Sequence, residues 1–545
     1  MKETGKMNKK ILAFTSVFSG ILLSLAWTSW CSGLVLLIAI IPLLFVEGYF
    51  YRHREKFKSK VFFLYLSLSF IIWNVLSIFW IYNATIAGAI IAILLNTSLF
   101  SLVLWLFHIT HRRLGHKLGY FSLVIYWIAF EHFYLNAEIS FPWLNLGNGL
   151  AKDILFIQWY EYTGTLGGTL WIIIINILLF RIITNYLEGK VLREQITLIL
   201  FAAGFIFIPM VVSTILFYSY EESKDPYEIV IIQPNIDPYN DKFGGLSNYK
   251  QLSIILNLAD SLVDEETDYV IAPETSVNDY IWESTISQNS SIKRIKGYVE
   301  KYPGIKFVIG ITSFKRYERG EKLSSTVRKL SDADMYYDVY NTGMQIDSSG
   351  NIQLYHKSKL VVGVEKMPYP HLFKFLENII VDLGGTTGGY GTQKDRTTLD
   401  EPGAKAKAAT LICYESIYGE YVTRYIHKGA NIIFVITNDG WWGNTSGYKQ
   451  HLTYSSLRAI ETRRSVARSA NTGVSCFINQ RGEILQPTEW WVTDVIRSSL
   501  NLNRKITFYV EHGDYLGRVS DFFTIILLAY TLVNFLTSGK IIKKS

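Results

Sequence analysis

Cysteine is almost missing from this 545-residue chain, which has only Cys31, Cys413 and Cys476. So few thiols leave little room for a disulfide framework. One bridge, Cys413 to Cys476, is possible by number, but Cys413 has a better use. Cys31 follows the first apolar run, as the cysteine of a lipoprotein signal would. Trp30 precedes it where a small side chain is expected, and more apolar runs follow, so a retained span is expected. Histidine and cysteine are also missing from metal-ligand spacing around His451, so no metal site is expected there. There is no internal repeat and no low-complexity linker.

Apolar residues are abundant, at 49% of the chain, but unevenly placed. A span of the bilayer needs roughly 20 mainly apolar residues. Candidate runs are 11–27, 32–47, 61–82, 86–107, 119–135, 168–185, 195–218 and 520–538. The second is short enough to be re-entrant, but its one-sided basic flank favours a full crossing. Lys and Arg are scarce in every other loop; the outer loop 136–167 has only Lys152. The alternate segments are basic: Lys9 and Lys10 at the start, Arg52 to Lys60, Arg112 to Lys117, Lys190 with Arg193, and Lys540 to Lys544. The positive-inside rule then puts both termini in the cytoplasm and the polar stretch 219–519 outside it. The expected division is a membrane domain at 1–218 with seven helices, an extracytoplasmic domain at 219–519, and a last span with a basic tail at 520–545. The net charge of +7 is explained by the inner loops and gives no reason to expect nucleic acid.

In 219–519, short β-branched runs alternate with polar, helix-compatible stretches. Expected strands are 228–233, 268–272, 306–311, 335–346, 352–356, 408–413, 431–437 and 473–478. Expected helices are 246–263, 289–301, 416–428 and 448–462. Buried, non-alternating strands interleaved with helices indicate an α/β layered domain. Ser349–Gly350 and Arg481–Gly482 read as hairpin connections, and 384–407 as a loop.

Three residues stand at strand ends: Glu274 after YVIAP, Lys357 after IQLYH, and Cys413 closing AATLIC. In α/β domains, reactive groups collect where strands end and loops begin. Each alone has an ordinary reading, as a cap, a solvated lysine or a small buried hydrophobe. Together they support acyl transfer. A thiolate attacks a carbonyl and forms a thioester. A shielded Glu takes the thiol proton and returns it to a leaving group. A Lys beside the carbonyl oxygen stabilises the oxyanion, together with the N–H after Cys413.

The motifs carrying these residues resemble the carbon–nitrogen hydrolase (nitrilase) superfamily. They are IIQPNI at 231–236, IAPETS at 271–276, YHKSKLV at 355–361 with Glu365, LICYES at 411–416, ITNDGWWG at 436–443, QHL at 450–452, LRAIETRR at 457–464 and ARSANTGVS at 467–475. SFPWLNLGN at 140–148 and YTGTLGGTLW at 162–171 are similar to the outer loop of that superfamily's membrane-bound apolipoprotein N-acyltransferases. The resemblance covers nearly the whole chain. It implies about eight membrane helices plus an α/β nitrilase-like αββα sandwich. It also implies a Glu274–Lys357–Cys413 triad, supported by Glu365 and Glu415, with Tyr414 and Trp441 near the acyl intermediate. No metal or organic cofactor is expected. The implied partners are a phospholipid acyl donor, a diacylated apolipoprotein acceptor and the lipid bilayer of a bacterial inner membrane, with the catalytic domain periplasmic. The alternative is a membrane-tethered amidase with water as acceptor. Departures from the family pattern are Val362-Gly363-Val364 before Glu365, Gly440 and Trp442 around Trp441, and Glu131 with no Arg nearby.

Further features have an ordinary and a sharper reading. The stretch 366–383 has apolar residues at helical spacing and reads as an amphipathic helix, either packed on its own domain or dipping into the membrane as a lid. Glu131 and His132, near the outer end of span five, read as functional groups within a span or, the ordinary expectation, as side chains that snorkel to the interface. Trp143, Trp490 and Trp491 fit an aromatic belt or simple packing. His451 resembles a structural position on a helix.

Overall fold

The structure is a computed structural model describing residues 8–330, 334–366, 389–400 and 403–541. The chain divides into two units. One comprises Met1–Tyr82, Gly88–Tyr218 and Asp514–Ser545; the other comprises Asn83–Ala87 and Ser219–Gly513.

The first unit is helical, and each apolar run of the sequence lies in a helix. They are α1 Lys9–Leu25, α2 Gly33–Arg52, α3 Ser59–Ile78, α4 Ile86–Asn136, α5 Tyr160–Leu187, α6 Ile196–Ser219 and α11 Tyr515–Ile541. α4 covers two apolar runs and breaks at Gly115, whose φ is +75°. Among the described residues, six helices are long and apolar enough to cross a membrane. The environment of α6 explains its composition. Phe201, Phe207, Ile208, Val211, Val212 and Ile215 are all exposed along it. A helix apolar on every side and exposed along its length is stable in lipid, not in water. The chain is a membrane protein.

Polar side chains in this unit are used to close backbone gaps. The Asn176 side chain accepts from Ile40 N at 2.8 Å and Ile41 N at 3.1 Å and donates to Leu36 O, satisfying the kink inside α2. Glu131 does not snorkel. It is fully buried, and its carboxylate accepts from Trp127 Nε1 at 3.0 Å, Leu146 N at 2.7 Å and Thr169 Oγ1 at 2.6 Å. Three donors outweigh the pull of water and fasten the loop between α4 and α5 to both helices. His132 pairs with Asp521 at 2.7 Å instead of reaching for the interface. The SFPWLNLGN and YTGTLGG motifs meet here. A Cβ on Gly147 would lie 1.9 Å from Thr165 O, so only glycine fits. Trp143 is buried against Trp80, the packing reading.

Among the described residues, the second unit holds thirteen strands in two sheets. They are β1 Pro226–Gln233, β2 Tyr269–Ile271, β3 Val277–Trp282, β4 Lys306–Arg316, β5 Arg328–Lys329, β6 Tyr336–Asp347, β7 Ile352–His356, β8 Ala408–Ile412, β9 Ile432–Thr437, β10 Val466–Ala470, β11 Cys476–Ile478, β12 Ile484–Leu485 and β13 Asp494–Asn501. The larger sheet runs β13-β1-β2-β4-β6-β5, with β3 on β4 and β7 on β6. The smaller runs β12-β11-β10-β9-β8.

The helices are α7 Asn248–Asp260, α8 Ser290–Val299, α9 Gly419–His427 and α10 Ser446–Thr462. α7 and α8 cover one face of the larger sheet, with Leu252, Ile255, Ile292 and Ile295 packed on Val230, Val270, Phe307 and Ile309. The opposite face meets the smaller sheet, where Tyr269 packs edge-on against Phe434 with ring centroids 5.0 Å apart. α10 lies against β10 and β11, and α9 against β8 and α10. This is an αββα sandwich. β8 and β9 are buried at every residue, so no alternation marked them in the sequence. Gly350 (φ +81°) and Gly482 (φ +87°) turn the two expected hairpins, β6–β7 and β11–β12. The stretch 366–383 lies outside the described residues except for Lys366.

Candidate functional site

Strand direction collects the reactive groups at one end. β1, β2 and β4 run parallel, and β7 shares that direction because it is antiparallel to β6, itself antiparallel to β4. β8, β9 and β10 also run parallel to one another. Glu274 follows β2, Lys357 follows β7, Cys413 follows β8, and Asn438 with Asp439 follows β9. They stand at carboxyl ends of strands, where an open α/β sheet forms its crevice.

Glu274, Lys357 and Glu365 form one buried network. Lys357 Nζ donates to Glu274 Oε1 at 3.0 Å and to Glu365 Oε1 at 2.8 Å. Asn341 Nδ2 bridges the same two carboxylates at 2.7 and 3.2 Å. Glu274 Oε2 accepts from Asn438 N at 3.2 Å. Glu365 Oε2 accepts from Val361 N, so Glu365 closes the loop that follows Lys357. The backbone is shaped to fit. A Cβ on Gly310 would lie 2.4 Å from Thr275 N, and Thr275 itself has a φ of +48°. Glycine at 310 lets β4 approach the Glu274 turn.

Charge sets the protonation of this network. Burial alone would raise the Glu274 carboxyl. The Lys357 charge, the Asn341 and Lys357 hydrogen bonds and the Lys242 charge hold it below the usual carboxylate range. Burial would lower Lys357, but Glu274 and Glu365 push it well above the usual lysine value. The resting pair is ionised.

Cys413 is buried and begins a 3₁₀ turn, Cys413–Ile417, directly after β8. Its φ is +51°, a left-handed conformation rare for a side-chain-bearing residue and concentrated at functional sites. Burial, then the Glu274 charge, pushes the thiol up; Lys357 and a hydrogen bond with Thr437 work against this. At rest the site therefore holds a thiol beside a carboxylate. Cys413 and Cys476 are both free thiols, so no bridge links them.

Glu415 is also buried but belongs to a different network. Its Oε1 accepts from Tyr355 OH at 2.7 Å, Tyr421 OH at 2.5 Å and Ser358 N at 2.7 Å, and its Oε2 from Ile412 N at 2.9 Å. It ties the residue after Lys357 to the turn that holds Cys413. Burial raises its pKa against those donors. Tyr414 is buried edge-on against Tyr418, and Trp441 packs edge-on against Tyr239.

Sequence reasoning left several groups unassigned. Asn341 sits inside β6 with no local signal. Lys242 is a buried lysine whose Nζ donates to Glu274 O at 3.1 Å, and it lies in a loop without periodicity. Asp439 and Arg468 lie within the quoted motifs but had no role, and His451 had only a structural one. His451 Nδ1 meets Asp439 Oδ1 at 2.9 Å, and its Nε2 lies 3.2 Å from Cys413 O and 3.0 Å from Ser416 Oγ. Arg468 donates to Asp439 Oδ2 at 2.6 Å. Ligand atoms of Cys413, Asp439 and His451 cluster within 4.8 Å. Arg468 already neutralises Asp439, which makes this a poor cation site. It is a brace beneath the Cys413 turn, consistent with the structural reading of His451.

Fold and site together define a nitrilase-like domain with a buried thiol, joined to a helical membrane unit. The carbon–nitrogen hydrolase model matches residues 232–507, just over half the chain, and the chain belongs to that family, in its membrane-bound apolipoprotein N-acyltransferase group. The model of the apolipoprotein N-acyltransferase N-terminal domain matches residues 19–178. The apolipoprotein N-acyltransferase of Chlorobaculum tepidum is 28% identical over 93% of this chain and 94% of its own. That of Thermotoga maritima is 24% identical over 92% and 90%. A solved amidase from Nesterenkonia sp. aligns with 55% of this chain and 98% of its own, at 17% identity and a TM-score of 0.35.

Proposed function

We propose that the chain moves an acyl chain from a phospholipid, through a thioester on Cys413, to the N-terminal amine of the diacylglyceryl-cysteine of apolipoproteins. The observation that carries this is the ionised Glu274–Lys357 pair beside a buried thiol, in a chain with six helices, among the described residues, long and apolar enough to cross a membrane. Both substrates are membrane-bound, and a helical membrane unit is of use to an enzyme that must take them from a bilayer. The family favours a bacterial inner membrane location, and the loop charges favour 219–519 on the periplasmic side, 1–218 and the last span at 520–538 in the bilayer, and the rest of the 520–545 segment as a cytoplasmic tail.

The residues take the following parts. Glu274 removes the thiol proton as Sγ attacks the ester carbonyl. Because the resting thiol is neutral, proton transfer and attack run together. Lys357 stabilises the oxyanion. The tetrahedral intermediate collapses, the ester C–O bond breaks, and Glu274 returns the proton to the leaving alkoxide, giving a lysophospholipid. The lipoprotein amine then attacks the thioester and its proton passes to Glu274; the C–S bond breaks as Glu274 gives that proton to Sγ, restoring both the thiol and the carboxylate. Glu365 holds Lys357, and Glu415 fixes the Cys413 turn. Tyr414 and Trp441 line the acyl chain's approach.

The test is intact mass of the purified full-length protein after incubation with phospholipid in mixed micelles. An added acyl group, absent in Cys413→Ala, is expected. Consumption of the adduct by a diacylated lipopeptide, with little loss to water alone, separates transferase from amidase. Activity that survives Cys413→Ala sinks the proposal.

A further inference from the structure

The site contains a second lysine, and its surroundings give it a role. Lys242 lies in a short π-turn, Asp241–Gly245, between β1 and α7. Its backbone is fixed by Gln251 of α7, whose Nε2 donates to Lys242 O at 3.0 Å and Leu246 O at 2.8 Å. Its side chain is 3% exposed, and among the described residues its Nζ donates one hydrogen bond, to Glu274 O at 3.1 Å. A buried ammonium without a carboxylate ligand is costly, so its position calls for an electrostatic reason. Charge supplies one. Glu274 and Glu365 carry two negative charges against the single positive charge of Lys357. With Lys242 the group is neutral. Without it a net negative charge faces the thiol that must become anionic.

Resting on the acyl-transfer reading of this site, we propose that Lys242 is a positioning residue. It supplies the second positive charge that keeps Glu274 ionised and lowers the cost of forming the Cys413 thiolate. The groups bearing on it are Glu274 after β2, Lys357 after β7 with Glu365 on the next loop, Cys413 after β8, Asp241 on its own turn, and the Asp439–His451–Arg468 brace behind Cys413. Burial lowers Lys242 to about 8, against the Glu274 and Cys413 charges, so it keeps a positive charge at neutral pH.

The experiment measures alkylation of Cys413 by iodoacetamide in the full-length, detergent-solubilised protein, read by peptide mass from about pH 6 to 10. It needs no acyl donor, so its outcome is separate from that of the acyl-adduct test. Lys242→Met is expected to slow alkylation about three- to tenfold at pH 6 to 7, where Lys242 is charged, and the gap to wild type is expected to close above about pH 8, where Lys242 loses its charge. Lys242→Arg is expected to keep the wild-type rate at neutral pH. Lys242→Gln can still donate to the Glu274 carbonyl but has no charge, so it is expected to follow Lys242→Met. A purely structural role would lower thermal stability and give no pH-dependent gap. An unchanged rate at neutral pH in Lys242→Met, or in Lys242→Gln where Lys242→Met does not fold, overturns the proposal.

Discussion

Two buried glutamates, one in each unit, have opposite kinds of company. Glu131 in the helical unit is ringed by neutral donors: an indole N–H, a backbone N–H and a hydroxyl. Glu274 in the catalytic unit also has an amide and a backbone N–H, but its main partner is the Lys357 ammonium. Neutral donors fasten an acid to its neighbours and give structure. A cation fixes the acid's charge and leaves it able to take a proton from a thiol. Glu415, with two tyrosine hydroxyls and three backbone N–H groups, belongs with Glu131 although it lies in the catalytic unit. Among these three glutamates the kind of partner, more than burial, separates scaffold from chemistry.

Removing the cation attacks this contrast at its strongest point. Lys357→Met removes the ammonium that Glu274 and Glu365 share. The oxyanion also loses its charged partner. The rate of acyl-adduct formation is expected to fall by about a hundred- to a thousandfold. The rate is read by quenched intact mass, with the melting temperature measured alongside. A variant within threefold of wild type would show that the cation is not what distinguishes Glu274.

Asp439 extends the cation-partnered class and gives a pH dependence. Burial would raise it, but Arg468 and then His451 and Thr437 hold it at about 2, below its ordinary 3.8. Its ionised form is favoured by folding, so its stabilisation is full above about pH 5 and is lost as pH falls toward about 2. The difference is worth about 2 kcal/mol. His451 is also lowered from its ordinary 6.5, mainly by burial and by Arg468. It folds neutral, so acid below that value favours the unfolded chain as well. Both shifts have the same sign. Stability of the catalytic unit is therefore expected to fall from about pH 6.5 toward 2, and Asp439→Asn to flatten the part of that slope below about pH 5. Thermal unfolding across pH checks it; a flat wild-type profile would detach the brace from the cation-partnered class.

What the sequence disclosed follows the same division. Fully buried strands such as β8 and β9 were legible as uninterrupted apolar runs, and the membrane helices by length alone. β10 was missed because VARSA carries Arg468 inward to Asp439, and a buried arginine breaks the apolar pattern. β13 was missed because its residues are mostly half-buried and alternate poorly. Glu274, Lys357 and Cys413 were visible because each ends a readable strand. Asn341 and Lys242 reach the same network from the middle of a strand and from an irregular turn, and only the fold brings them there. Glu131 was misjudged because its donors, Leu146 and Thr169, come from segments distant in sequence.

The smallest expected effect tests the scaffold side of the contrast. Glu131→Gln keeps the size and one oxygen of the side chain, but its amide nitrogen cannot accept from Thr169 or Leu146. One hydrogen bond is lost or reversed, at a cost of about 0.5–1.5 kcal/mol, more if a buried donor is left unmet. If Glu131 only fastens the loop between α4 and α5 to both helices, the variant melts a few degrees lower while acyl-adduct formation at a permissive temperature stays within about twofold of wild type. A loss of rate as large as that of Lys357→Met, without loss of stability, would put Glu131 among the residues that do chemistry. The contrast would then rest on something other than the charge of the partner.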